Sequence, residues 1–167
     1  LAASAPDHDY TFVDMLAGET VDFERPVDLV GVSARLTAEK TAYAIADEFR
    51  KRGVKVALGG PQISSVPHRA APHSDAVAVG EGELLWPVIV EDAAKNDLKK
   101  FYVASPKPFD AGGESLHQIP RFAELATEAK MALRGPYRKK YAFDTVFASR
   151  GCPVDCDFCS VPTLFGH

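Results

Sequence analysis

The 167 residues are 46% hydrophobic and 25% charged with a formal net charge of −4, a composition that supports a sizeable core and excludes a globally disordered chain. No long Lys/Arg run is present, so nucleic-acid binding has no electrostatic footprint and no such partner is expected. No apolar stretch approaches the roughly 18 residues of a membrane span, and Leu1 to Pro6 lacks the basic start and apolar core of a signal peptide.

The chain opens on Leu1-Ala2-Ala3, which reads as the last turn of a helix, and closes on Phe165-Gly166-His167. The expectation is a fragment of a longer protein. Residues 10–14 (YTFVD) form a short β-prone run, and residues 27–33 (VDLVGVS) a stronger one, nearly all apolar after Asp28. A continuous apolar run suits a strand buried on both faces of a parallel sheet. Residues 37–52 then read as a helix. Ala38, Ala42, Ile45, Ala46 and Phe49 share one face at helical spacing, with Thr37 as a cap and Gly53 at the end. Residues 54–58 (VKVAL) form the next strand, stopping at Gly59-Gly60-Pro61.

A weaker helix is expected over 66–71, a strand over 76–79 ending at Gly80-Glu81-Gly82-Glu83, and a helix over 84–94 with Leu84, Leu85, Val88 and Ile89 as its apolar side. His68 and His73 read as surface or helix-end residues. Alternating strands and helices with short links predict an α/β fold, a doubly wound, mostly parallel sheet of flavodoxin or Rossmann type, with right-handed crossovers placing helices on both faces. Residues 95–121 hold three prolines and two glycines with little periodicity, which suits a linker. A short helix over 122–133, a solvated basic loop over 134–140 and a strand over 144–149 complete the reading. The domain expectation is 1–100 as the α/β domain, 101–140 as linker and 141–167 as the start of a second domain.

The three cysteines lie in one loop, Cys152-x-x-x-Cys156-x-x-Cys159. An odd number packed so closely does not look like a secreted disulfide framework; it suggests a reducing cytoplasmic setting and a metal. Spacings of three and two residues let one turn present three thiolates to a [4Fe–4S] cluster, leaving one iron open. Gly151 and Pro153 fit a sharp turn after a strand. Zinc held by the three thiolates and His167 is an alternative, although paired Cys-x-x-Cys knuckles are its usual form. Three buried structural cysteines are a further alternative, which Asp155 and Asp157 between them disfavour.

The stretch from Ser149-Arg150-Gly151-Cys152-Pro153 through Cys156-Asp157-Phe158-Cys159-Ser160 resembles the Cys-x-x-x-Cys-x-aromatic-Cys loop of the radical S-adenosylmethionine (SAM) superfamily. The resemblance implies that Cys152, Cys156 and Cys159 hold the cluster and that its open iron chelates SAM, which is cleaved reductively to a 5′-deoxyadenosyl radical. It also implies that Phe158 lies against the adenine. The strand over 144–149 would be the first of a partial (β/α) barrel, with the site at its C-terminal end. A small-molecule substrate and an electron donor such as flavodoxin or ferredoxin are implied with it.

In a doubly wound sheet, ligands bind beyond the C-terminal strand ends. Those ends carry Ser33-Ala34-Arg35, Gly59-Gly60-Pro61 and Gly80-Glu81-Gly82-Glu83, where glycine permits tight turns and close ligand approach. DLVGVSARLT (28–37), RGVKVALGGPQ (52–62) and DAVAVGEGE (75–83) also resemble the cobalamin-binding domain that precedes the barrel in many radical SAM enzymes. By that resemblance Ser33, Ala34, Arg35, Thr37, Gly59, Gly60, Gly80 and Glu81 surround a cobalamin. The Asp-x-His-x-x-Gly motif of cobalamin proteins that ligate cobalt through histidine does not occur here, and many radical SAM relatives lack it.

Three functions follow. The first is a cobalamin-dependent radical SAM enzyme that methylates or otherwise modifies its substrate by radical chemistry. The second is a methylthiotransferase, which residues 1–151 oppose because they hold no additional cysteines. The third is a non-catalytic corrinoid- or nucleotide-binding module with a zinc loop.

Overall fold

The computed structural model describes residues 1–104, 108–119, 151–154 and 156–165. Among them, β1 (Leu29–Ser33), β2 (Lys55–Gly59), β3 (Ala76–Gly80), β4 (Phe101–Ala104) and β5 (Leu116–Gln118) form one sheet. Spatial order equals chain order, and every neighbouring pair is parallel. The helices are α1 (Glu39–Lys51), α2 (Pro61–Ser65), α3 (Pro67–Ala70), α4 (Gly82–Ala94) and α5 (Val161–Phe165). This is the Rossmann-like α/β sheet, covered on both faces, that the alternating pattern predicts. No helix among the described residues is long and apolar enough to cross a membrane.

On one face of the sheet Val56, Leu58, Val77, Val79, Phe101 and Val103 pack against Ala42, Ile45, Ala46 and Phe49 of α1, Ile63 of α2 and Ala70 of α3. On the opposite face Ala57, Ala76 and Ala104 leave room for Leu85, Trp86 and Ile89 of α4. Gly31 extends this floor: a Cβ there would stand 2.8 Å from the Trp86 ring. Interdigitation of this kind brings the interior to crystal-like density.

The placement of α4 corrects the crossover expectation. When strands follow one another in chain order, connections of one hand all lie on one face. Because α1, α2 and α3 cover one face and α4 the other, the β3-to-β4 connection has the opposite hand from those before it. On that face the small residues of the sheet accommodate the indole of Trp86.

Other elements also differ from expectation. Residues 10–14 form no strand. Tyr10 instead accepts a hydrogen bond from Trp86 Nε1 at 3.0 Å, and Asp14 caps the 3-10 turn Met15–Ala17. Thr37 lies within the 3-10 turn Leu36–Ala38 and does not cap α1, which begins at Glu39. Ala38 is exposed and Glu39 takes its place in the buried stripe with Ala42, Ile45, Ala46 and Phe49. Gly53 closes the helix as expected, at φ +78°.

The weak helix expected over 66–71 is α3, continued by the 3-10 turn Ala71–His73. A further short helix, α2, precedes it where none was expected, and it ends before Pro67, which lacks the N–H needed to continue it. Within the stretch read as linker, β4 is wholly buried, and β5 adds an edge strand beside it. The expected helix over 122–133, basic loop over 134–140 and strand over 144–149 lie outside the described residues.

Candidate functional site

Parallel strands bring all their C-terminal ends to one rim. Ser33 and Gly59 are direct neighbours in register, as are Gly80 and Ala104. The loops beyond are joined by hydrogen bonds. Ala34 N donates to Gly59 O at 2.9 Å and Gln62 N to Ala34 O at 3.2 Å. Gly80 N donates to Ser64 Oγ at 3.0 Å, and Glu81 N to Ala104 O at 3.3 Å. The rim is therefore one connected unit spanning four strand ends.

Glycine at position 60 is required by the protein's own packing. Its φ of +94° and ψ of 174° lie in a region essentially restricted to glycine. A Cβ there would meet Ser33 Oγ at 2.6 Å and Ala34 N at 2.8 Å. Gly60 thus lets the β1 and β2 loops touch, and Pro61 then starts α2 in the position where proline is favoured.

The residues singled out at the rim divide by exposure. Ser33, Arg35 and Thr37 are exposed, and Gly59, Gly60 and Gly80 partly so. Ala34 and Glu81 are buried, at 1% and 5% exposure. An external ligand could meet the first six; the last two support them from below. His68 is exposed and stacks on Phe109. His73 packs against Tyr43 and meets Asp47 at 2.9 Å, so its hydrogen bonding is local to α1.

Three supporting residues were not singled out from the sequence: Glu39, Gln62 and Ser64. Glu39 is 8% exposed. Its carboxylate accepts hydrogen bonds from Tyr43 OH at 2.9 Å and Gln62 Nε2 at 3.1 Å and pairs with Arg69 at 3.1 Å. Burial, followed by the hydrogen bond to Glu39, pushes the Tyr43 phenol up to about 12. A signal for Glu39 was present, since a carboxylate on the apolar side of a helix demands partners. Gln62 and Ser64 carried none, because their partners are distant in sequence.

In the cysteine loop, Cys152, Cys156 and Cys159 are half-buried and in no disulfide. Cys159 N donates to Cys156 O at 3.0 Å, a tight turn, and Gly151 takes φ +78° to enter the loop. Phe158 is 93% exposed. Among the described residues no three or more His, Cys, Asp or Glu are gathered as a metal cluster. The donor chemistry nonetheless fits a thiolate-held iron–sulfur cluster: three unpaired thiols lie on one short turn with solvent access. His167, the alternative zinc ligand, lies outside the described residues. The helix following the loop, α5, lies against α2, with Leu164 buried. A cleft of about 1620 Å³ runs along the β1 edge and is lined by none of the rim residues singled out above.

The rim loops are thus cross-linked through α2, and the helix that follows the three-thiol loop packs against that same α2. No family model and no solved structure matches the chain. It is similar to proteins named as methyltransferases. It is 34% identical over 161 residues to the bacteriochlorophyllide d C-8(2)-methyltransferase of Chlorobaculum tepidum, covering 96% of this chain and 34% of that protein. It is 31% identical to the bacteriochlorophyllide d C-12(1)-methyltransferase of the same organism, covering 95% and 33%. It is 28% identical to the hopanoid C-2 methylase of Rhodopseudomonas palustris, covering 100% and 30%. The chain thus spans about a third of the length of these relatives.

Proposed function

We propose that this chain is the cofactor-binding portion of a radical SAM methyltransferase. The observation that carries the reading is the three-thiol loop followed directly by α5, which packs against α2, the helix that begins at the rim with Pro61. The relatives' names as methyltransferases support methylation over other radical chemistry. Those names concern tetrapyrrole and hopanoid compounds, so an apolar polycyclic substrate is the class to test first.

In this reading Cys152, Cys156 and Cys159 hold a [4Fe–4S] cluster, and Phe158 offers its exposed ring to the adenine of SAM. The cluster and SAM supply a radical able to abstract hydrogen from an unreactive carbon, and cobalamin supplies the methyl group. Ser33, Arg35, Thr37, Gly59, Gly60 and Gly80 contact the cobalamin, with Ala34 and Glu81 beneath them. A flavodoxin or ferredoxin supplies electrons. The residues of this chain bind and orient: the turn at 156–159 offers thiolates, and the cross-linked rim offers a fixed surface.

The reading extends to domain organisation, with the sheet through β5 (Leu116–Gln118), and so past the expected boundary at residue 100, as the core of the cobalamin domain and 141–167 as the start of the catalytic one. In the longer polypeptide, anaerobic reconstitution with iron and sulfide should yield 5′-deoxyadenosine from SAM under a strong reductant. Cys152→Ala should abolish both iron retention and this product. Zinc without iron or sulfide in anaerobically purified protein, or no 5′-deoxyadenosine, would overturn the reading.

A further inference from the structure

Glu39 stands at the start of α1, at the rim end of the sheet, and its carboxylate reaches three helices. Tyr43 belongs to α1, Gln62 to α2 and Arg69 to α3. Such a buried carboxylate is costly to desolvate and is retained only where its bonds are made. The Gln62 arm is the one that leads to the rim. Gln62 also donates its backbone N–H to Ala34 O, so one residue is gripped by Glu39 from its side chain and by the β1 loop from its backbone. Two residues on, Ser64 accepts from Gly80 N. α2 also meets α5, which begins two residues after Cys159. A five-residue helix has little stability of its own, so its placement depends on such external bonds.

We propose that Glu39 is a positioning residue that clamps α2, and that through α2 it sets both the spacing of the rim loops and the seat of the helix following the cysteine loop. Glu39 touches no ligand in this proposal. Its influence on cobalamin rests on the function proposed above, whereas its influence on the loops does not. The carboxylate matters as an acceptor of several bonds at once, so glutamine retains part of the clamp and alanine none.

The test compares Glu39→Ala and Glu39→Gln with the unaltered chain by amide hydrogen exchange and by equilibrium dialysis against hydroxocobalamin. In Glu39→Ala the Ala34, Gln62, Gly80 and Leu164 amides should exchange faster by about tenfold or more, the scale set by losing charge-assisted hydrogen bonds. The sheet amides of Val56 and Val77 should change much less, and Glu39→Gln should restore most of the protection. Hydroxocobalamin affinity should fall in the same order. If Glu39→Ala does not fold, Gln62→Ala removes the α2 arm alone and should loosen Ser64, Gly80 and Leu164. A uniform change across rim and sheet, or no change at the rim, overturns the clamp. Equal hydroxocobalamin affinity in the unaltered and alanine proteins overturns its role in ligand positioning. No binding by the unaltered chain overturns the cobalamin reading, and the exchange pattern still decides the clamp.

Discussion

Replacing Gly60 by alanine separates backbone strain from loop contact at the rim. Gly60 sits at φ +94° and ψ 174°, and forcing a side chain into such a region costs about 1–3 kcal/mol. The new Cβ would also stand 2.6 Å from Ser33 Oγ and 2.8–2.9 Å from the backbone of Ala34. The serine hydroxyl can rotate away, but the Ala34 backbone is held by its bonds to Gly59 and Gln62. Overpacking against such a neighbour adds about 1–3 kcal/mol. The expected loss is therefore about 2–6 kcal/mol, a large share of the roughly 5–15 kcal/mol that holds a domain together. Gly53→Ala is the control: its φ is +78°, and a Cβ there meets nothing within 4 Å. Strain alone should cost it about 1–2 kcal/mol. Urea unfolding of both variants, compared at similar slopes, measures the difference. If Gly60→Ala is no more destabilised than Gly53→Ala, the contact between the two loops is not what demands glycine.

Gly31→Ala should displace the Trp86 ring, whose Cη2 and Cζ3 would lie 2.8 and 2.9 Å from the new methyl. The indole is 9% exposed and held by Tyr10, so stability should fall by about 1–3 kcal/mol. Emission of this single tryptophan should shift to the red; an unchanged spectrum and midpoint would count against the packing described. Alkaline titration tests the two most perturbed phenols. Tyr43 is raised to about 12, and Tyr102 is raised further by burial and by its hydrogen bond to Asp92. Both hold their protons more tightly folded than unfolded, so their contribution is complete below about pH 10 and lost as pH rises through the folded values. Urea midpoints should therefore decline above about pH 10, less steeply in Tyr102→Phe; a midpoint that is flat, or that rises, would contradict the assignment.

The sheet was legible wherever the sequence held a continuous apolar run, as in residues 27–33, 54–58 and 76–79. Only the last two are largely buried, because β1 is an edge strand of the sheet and is half-buried to exposed, not buried on both faces. Residues 10–14 show the limit of that signal. Their β propensity was real, but propensity makes no strand without a neighbour to pair with, and Tyr10 and Phe12 stack on each other instead. The strand Phe101–Ala104 was hidden for the opposite reason: four residues between two lysines and a Ser-Pro step are too few to show a period. The cysteine spacing was legible because it is local. The rim glycines were legible as turns, but not the reason for each. That Gly60 serves the contact with Ser33 could be learned only from the register of β1 against β2. Glu39 shows the cost of treating a charged residue as a solvated one, since the stripe Ala42, Ile45, Ala46 and Phe49 already included its position.

Strand order following chain order has a consequence for how such a rim can diversify. Each loop at the C-terminal edge has as its spatial neighbours the loops that precede and follow it in the gene. A ligand laid along that edge is contacted in the order in which the polypeptide is synthesised. Lengthening one loop alters one station along the ligand and leaves the order of the others intact. A change in α2 is different in kind, because its residues bond to the loops on both sides of it. Variation among proteins sharing this architecture should therefore collect in the exposed stretch 35–37, while residues 60–64 vary together or not at all.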